Sequence, residues 1–280
     1  MRKKTIEKAK SLLGSPAYSN DLTSIYLGDA LDLLKKIPSN SIDLVVTSPP
    51  YNIGKVYERS LPIDEYLNWC EQWLQEIFRV VTESGSFWLN LGYVPIAQKG
   101  KAIPLPYLLW DKTPFFMIQE VVWNYGAGVA SKHSFSPRNE KFLFFVKDPD
   151  NYVFNLDSVR DKNVKYPNQK KNGKLKVNPL GKNPSDVWQI AKITSGANRS
   201  SKERAPHPAQ FPETVIERII LVSSNPGDIL LDPFLGSGTT SAVAQRLSRQ
   251  SIGFEIQAPY VEYATERVKA LTMRMKLPLE

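Results

Sequence analysis

Two short runs carry features able to do chemistry. The first, Asp43-Leu44-Val45-Val46-Thr47-Ser48-Pro49-Pro50-Tyr51-Asn52, has the pattern of a buried strand that ends in two prolines and an aromatic. Proline fixes φ and has no N–H, so two in succession stiffen the backbone and leave the local carbonyls without nearby donors. The turn is rich in acceptors. An exocyclic base amine is a poor nucleophile because its lone pair is delocalised into the ring. If Ser48 and the Pro49 carbonyl accept its two hydrogens, the nitrogen becomes more pyramidal and its lone pair turns toward an electrophile. Tyr51 can then stack on the base face. Taken alone, the same residues also fit a proline-stiffened loop with Tyr51 simply packed.

The second run, Ile229-Leu230-Leu231-Asp232-Pro233-Phe234-Leu235-Gly236-Ser237-Gly238-Thr239-Thr240, is a strand, a glycine-rich turn and a helix start. Gly236 and Gly238 allow a sharp turn and close approach to a ligand, and Thr239 or Thr240 is placed to cap the helix. Roughly 20 residues further on, Glu255 ends the next strand, where a carboxylate can accept both hydroxyl protons of a ribose. No third glycine follows at the dinucleotide spacing, and no Gly-Lys-Ser/Thr is present to hold a triphosphate, which argues against NAD and ATP. A ligand with a ribose and no pyrophosphate fits better. Asp232 would repel phosphate and attract the cationic amino-acid end of S-adenosyl-L-methionine.

The elements that must position these runs follow from the apolar pattern. Leu44 to Val46, Phe87 to Leu89, Val121 to Trp123, Phe142 to Val146, Ile229 to Leu231 and Ile252 to Phe254 read as buried strands. Residues 64 to 81 place Tyr66, Trp69, Trp73, Ile77 and Val80 at helical spacing, and further helices run from about Pro212 to Val222 and from Thr239 to about Leu247. Strands alternating with helices imply an α/β fold, a doubly wound and mostly parallel sheet.

From Asp148 to Ser201 the rhythm breaks into Asn, Pro, Lys and Gly. This insertion carries Arg160, Lys162, Lys165, Lys170, Lys171, Lys174, Lys176 and Lys182, opposed between Arg160 and Lys182 only by Asp161. It reads either as a solvated loop or as a basic surface for a polyanion. The excess of 36 Lys plus Arg over 28 Asp plus Glu, a net +8, fits a nucleic-acid partner. One cysteine excludes an internal disulfide, and with two histidines it cannot supply a zinc site of the usual kind, so no metal is expected. No apolar run approaches bilayer length, and Met1-Arg2-Lys3-Lys4 leads into a polar stretch, so a cytoplasmic protein with no membrane segment is expected.

Together the two runs resemble the amino-methyltransferases of DNA restriction-modification systems. The catalytic run precedes the cofactor run, as in the permuted beta group of that family. His207-Pro208-Ala209-Gln210-Phe211-Pro212 resembles the element that closes over the methionine part of the cofactor, so His207 and Phe211 join Phe234 in the implied cofactor set. Gly28-Asp29, before the first helix, is similar to the adenine-contacting position, and Gly181 to Trp188 is also similar to that group. The resemblance covers roughly residues 24 to 270. It implies a single domain over 1–280, with a catalytic half at about 24–147 and a cofactor half at about 202–270 in one seven-stranded sheet. The 148–201 insertion is then a target-recognition segment, with Lys170, Lys171, Lys174 and Lys176 as DNA-binding residues.

The implied reaction is direct methyl transfer from S-adenosyl-L-methionine to a base flipped out of duplex DNA, since a paired amine is hydrogen-bonded and shielded. A cognate restriction endonuclease acting on the same site is the implied partner. Serine at position 48 is typical of N4-cytosine enzymes and aspartate of N6-adenine ones, although Asn52 after Tyr51 also occurs in the latter. N4 of cytosine is therefore expected, with N6 of adenine as the alternative and a DNA-binding module with an inactive cofactor site as a further one. RNA methylation would call for an added RNA-binding module, which the sequence does not show. Carbon-5 methylation would need a Pro-Cys nucleophile, whereas Cys70 lies inside an amphipathic helix beside Trp69.

Overall fold

Alternation within one strand builds the two cores. Leu44 and Val46 point into one apolar cluster and Val45 into the other, so the strand before Ser48 is covered on both faces. The computed structural model describes residues 2–56, 58–126, 130–193 and 203–276; the end of the expected insertion, 194–201, lies outside the described residues.

In chain order the elements are α1 (Arg2–Leu13), β1 (Tyr18–Ser19), β2 (Thr23–Leu27), α2 (Ala30–Leu34), β3 (Ile42–Thr47), α3 (Ile63–Val80) and β4 (Val81–Leu91). A hairpin, β5 (Tyr93–Ile96) and β6 (Gly100–Pro104), is followed by α4 (Pro106–Leu109), β7 (Phe116–Asn124) and β8 (Asn139–Val146). Short strands β9 (Lys170–Lys171), β10 (Lys174–Leu175) and β11 (Val187–Gln189) precede α5 (Glu213–Ser223), β12 (Ile229–Asp232), α6 (Thr239–Arg246), β13 (Gln250–Glu255) and α7 (Ala258–Lys276).

The main sheet has the order β1-β2-β13-β12-β3-β4-β8-β7-β11. β12 pairs in parallel with β3, and β13 in parallel with β2, so the strands of the cofactor half insert between strands of the first half. β8 runs antiparallel to both β4 and β7. Seven strands, β2 to β7 in that order, match the expected sheet. Two residues of β1 and three of β11 extend its edges, which corrects the strand count from seven to nine. Both are too short for a period-two pattern to show.

One face is covered by α3, whose Trp73, Leu74 and Ile77 are buried against Val45, Phe87, Leu231 and Phe254. The other is covered by α5 and α6, through Ile216, Ile219, Ile220 and Val243 against Val46, Trp88 and Leu230. Cys70 is fully buried in α3, and burial pushes its thiol up to about 12, where it is inert as a nucleophile. Among the described residues no helix is long and apolar enough to cross a membrane.

Two local expectations are corrected. An additional helix, α1, precedes Gly28-Asp29, so Asp29 caps the second helix: its Oδ1 accepts from Leu31 N at 2.8 Å and Asp32 N at 3.2 Å. At α6 neither threonine is the cap. Gly238 takes that position at φ 78°, and the threonine hydroxyls serve other partners.

Candidate active site

Parallel strands deliver their carboxyl ends to one rim of the sheet, which is where ligands of open α/β sheets bind. Asp29 follows β2, Ser48 follows β3, Asn90 lies near the end of β4, and Glu255 closes β13. The antiparallel β8 brings its amino end, Glu140, to the same rim, where it faces Trp123 near the end of β7. These residues line one cavity of about 330 Å³ together with Pro49, Pro50, Tyr51, His207, Phe211, Phe234, Gly236, Thr239, Lys192 and Tyr260. Both sequence runs thus open into one space.

The proline turn is pinned from several sides. The Tyr66 hydroxyl donates to the Pro50 carbonyl at 2.7 Å. Asn52, at φ 61°, closes the following loop: its side chain donates to the Leu61 carbonyl at 2.8 Å and accepts from Leu61 N at 2.7 Å. Glu58 accepts from Asn52 N and Ile53 N, both at 2.8 Å. Asn52 is accordingly committed to the backbone of this loop.

Behind the turn lies a network that sets the direction of hydrogens. Asn90, 1% exposed, donates its amide to the Lys141 carbonyl at 3.2 Å, which aims Oδ1 at the turn. That oxygen accepts from the Tyr51 hydroxyl at 2.7 Å and lies 3.4 Å from Ser48 Oγ; Glu140 Oε2 is 3.3 Å from the same tyrosine oxygen. Asn90 Oδ1 is an amide oxygen with no proton to give, so the short 2.7 Å bond takes the tyrosine proton. With that proton directed to Asn90, Ser48 Oγ, 2.9 Å from the Tyr51 oxygen, can only donate within that pair, and its oxygen keeps its capacity to accept. The Tyr51 ring also needs Gly92, since a Cβ there would come 2.8 Å from Cε2. Gly92→Ala is expected to slow transfer roughly tenfold or more by displacing the ring, because small misplacements at a reacting centre cost heavily. Cofactor affinity by calorimetry should stay unchanged, and an unaltered rate would show that the ring position is immaterial.

On the cofactor side, Glu255 Oε2 accepts from Gly236 N at 2.9 Å and Oε1 from Gln257 N at 2.8 Å. Burial raises its pKa, against the pull of those backbone donors. The His207 ring sits over Gly236, where a Cβ would come within 3.0 Å of Nε2, and meets Tyr260 edge to face at 4.5 Å between centroids. Burial holds this imidazole down to about 4, so it is neutral at neutral pH; its Nδ1 accepts from Ala209 N at 3.2 Å, which puts the proton on Nε2. Phe234 packs edge-on against Trp69 and Trp73 at 5.8 and 5.4 Å, and Phe211 meets Phe142 in a tilted pair at 6.1 Å.

Two cofactor residues expected from the sequence do not reach the cavity wall. Asp232 is 2% exposed, with its carboxylate taken by Thr47, Thr240 and the Phe234 amide, so it ties the two runs together from below and does not meet a cationic ligand. At Gly238 a Cβ would strike Ala264 at 2.8 Å, so this glycine admits α7. Of the two glycines, Gly236 is the one that lines the cavity. Lys170, Lys171, Lys174 and Lys176 lie away from the cavity on the exposed β9–β10 hairpin, turned by Asn172 and Gly173 at φ 51° and 77°. The base of that excursion closes where Asp161 and Lys182 exchange backbone hydrogen bonds of 3.0 and 2.9 Å. Asn90, Trp123, Glu140, Lys192 and Tyr260 are among the lining residues that motif reading did not find.

A model of the DNA methylase family matches residues 42–266, which span both runs and the sheet between them. The chain belongs to that family. It is 62% identical over 261 residues to the type II methyltransferase M.ScaI of Streptomyces caespitosus, covering 93% of this chain and 86% of that one. It is 34% identical over 261 residues to the DNA adenine methyltransferase YhdJ of Escherichia coli K12, covering 90% and 84%. Among solved structures, the PvuII DNA methyltransferase (cytosine-N4-specific) superposes with a TM-score of 0.70 at 25% identity, covering 92% of this chain and 93% of that one. The chain is a DNA methyltransferase of the N4/N6 amino group.

Proposed function

We propose that this enzyme methylates N4 of cytosine in duplex DNA, using S-adenosyl-L-methionine and an extruded target base. The observation that carries the reading is that Ser48 lines the same cavity as Glu255, Gly236 and His207, which brings the turn's hydroxyl to the cofactor side of the sheet rim. The residues fit the cofactor. Gly236 leaves open a cradle that a Cβ would fill, Glu255 can take ribose hydroxyls, and Asp29 lies at the end where the adenine would sit. When bound, the cofactor supplies a methyl group made electrophilic by a sulfonium.

Ser48 Oγ and the Pro49 carbonyl would take the two amine hydrogens, so that the nitrogen lone pair turns out of the base plane toward the cofactor side of the cavity. Gly236, Glu255 and Asp29 would hold the cofactor there, and direct transfer of its methyl group would exchange that group for one amine proton, released to solvent. Tyr51 stacks on the base and, with the rest of the pocket, offsets an extrusion cost of about a few kcal/mol. His207 and Phe211 line the same cavity and add apolar ring surface to its wall. No covalent bond to the protein forms.

Similarity to YhdJ keeps N6 of adenine as the second reading. Asn52 does not favour it, because its side chain is spent on Leu61. Incubation with labelled cofactor and plasmid, followed by nucleoside analysis, separates the readings. N4-methylcytosine is expected; N6-methyladenine replaces this reading by the second, and no label in DNA defeats both.

The 148–201 stretch is assigned to target recognition within a single methyltransferase domain, and a cognate endonuclease is the partner against which such a modification would protect. Neutralising Lys170, Lys171 and Lys174 is expected to weaken DNA binding and flatten its salt dependence by about 0.9 in the log–log slope for each phosphate no longer neutralised. An unaltered slope in titrations at several salt concentrations would remove the hairpin from the interface.

A further inference from the structure

The described part of the 148–201 stretch reaches the reaction cavity at a single charged side chain, Lys192. Beyond β11 the backbone is tied to the end of β7: Ile190 N donates to the Asn124 carbonyl at 3.0 Å, and Trp123 Nε1 donates to the Ile190 carbonyl at 2.8 Å. Ile193 is fully buried. Lys192 is therefore presented from a fixed backbone. Its Nζ lies 3.3 Å from Glu140 Oε1 and 3.7 Å from the centre of the Tyr125 ring, with Trp123 at 6.0 Å. The same carboxylate reaches the Tyr51 hydroxyl through its other oxygen. A continuous polar chain thus runs from Ser48 through Tyr51 and Glu140 to Lys192.

An ion pair held at 26% and 18% side-chain exposure gives up much of its hydration, and as a purely structural link it gains little over apolar packing. This one also faces the cavity. An ammonium has three N–H donors, and Glu140 engages one of them. The cavity is thus lined by the acceptor-rich Ser48-Pro49 turn in one place and by a cationic donor in another. Along its Watson–Crick edge cytosine presents an amine donor, then the ring N3 acceptor, then the O2 carbonyl acceptor. Adenine presents an amine and one ring acceptor, followed by a C–H. Thymine would set a carbonyl against the Ser48 oxygen.

We propose that Lys192, held by Glu140 against the Tyr125 face, donates to the O2 carbonyl of the extruded cytosine and is the residue that selects cytosine over adenine. The inference rests on the N4-cytosine reading and adds its specificity device. A site built to bond a substrate group rejects the analogue that lacks it, because the buried partner is left unpaired.

The test is a two-by-two comparison on the mapped target duplex. The target is either cytosine or a 2-aminopyridine C-nucleoside, which keeps the amine and the ring nitrogen and lacks O2. The enzyme is either wild type or Lys192→Met. On cytosine, Lys192→Met is expected to lose about 10- to 100-fold in kcat/KM. On the analogue the two enzymes should be equal within about twofold, since the bond is already absent; comparing enzymes on one substrate cancels the analogue's different amine reactivity. Lys192→Arg should recover part of the rate on cytosine, and cofactor affinity by calorimetry should be the same throughout. Lys192→Gln repeats the comparison should methionine unfold the pocket.

Equal rates of wild type and variant on cytosine overturn the inference. So does an equal loss on both substrates, which a merely structural lysine would give. Both results leave the N4 reading intact, whereas N6-methyladenine in the wild-type product removes that reading and this inference together.

Discussion

Ser48→Ala is expected to lower the rate of methyl transfer by roughly 10²-fold, the scale found when one preorganised polar group is removed from a reacting centre. Its dissociation constant for the cofactor should stay within about twofold of wild type, because Ser48 touches Tyr51 and Asn90 and neither of the groups that flank Gly236. The loss should fall on single-turnover transfer and leave base extrusion in place, which fluorescence of a 2-aminopurine at the target position reports. Substitution to alanine removes the acceptor and also the donor to the Tyr51 oxygen. Ser48→Thr keeps both, and partial recovery there would separate the hydroxyl from simple filling of space. A wild-type transfer rate in Ser48→Ala would remove the serine from the chemistry and leave the turn as structure alone.

The two runs were legible because each concentrates its signal in consecutive residues. Prolines at 49 and 50 and glycines at 236 and 238 fix backbone shape, and the apolar residues before each run announce a strand. Their juxtaposition also followed, since a permuted order obliges β12 to lie beside β3. The groups that complete the cavity were hidden for a physical reason. Asn90, Glu140 and Lys192 are single polar residues on three different chain excursions, and only the sheet order β3-β4-β8-β7-β11 carries them to one rim. Nothing in their neighbours marks them. Gly92 is similar: its value lies in a Cβ it lacks, beside a ring 41 positions earlier in the chain, as the numbering of Tyr51 and Gly92 gives. Asn172-Gly173 between lysines marks a tight hairpin whose two central residues need positive φ, one of the ordered features in a stretch whose composition reads as irregular.

Asp232 shows how a correct motif can carry a wrong contact, and it leads to the prediction with the second large effect. Its Oδ1 accepts from Thr47 at 2.7 Å and from Phe234 N at 3.2 Å, and its Oδ2 accepts from Thr240 at 2.7 Å. Thr47 is the residue before Ser48, and Thr240 lies in the first turn of α6, so this buried carboxylate sets the spacing between the two turns. Asp232→Ala leaves two hydroxyls and an amide without that acceptor, a cost of about 3 kcal/mol in urea unfolding. Both transfer rate and cofactor affinity should fall, in contrast to Ser48→Ala. Burial pushes the carboxyl up to about 6 from 3.8, against the Thr240, Thr47 and Phe234 hydrogen bonds and with a further push from Glu255. The folded state therefore holds this proton more tightly than the unfolded chain does. Its contribution to stability is full below about pH 3.8 and is lost as pH rises through about 6. Asp232→Asn keeps the shape, loses one acceptor and cannot titrate. Its stability deficit relative to wild type should accordingly be largest near pH 4 and shrink by on the order of a few kcal/mol toward neutral pH. A deficit that stays constant across that interval would mean that folding does not change the proton affinity of this carboxyl.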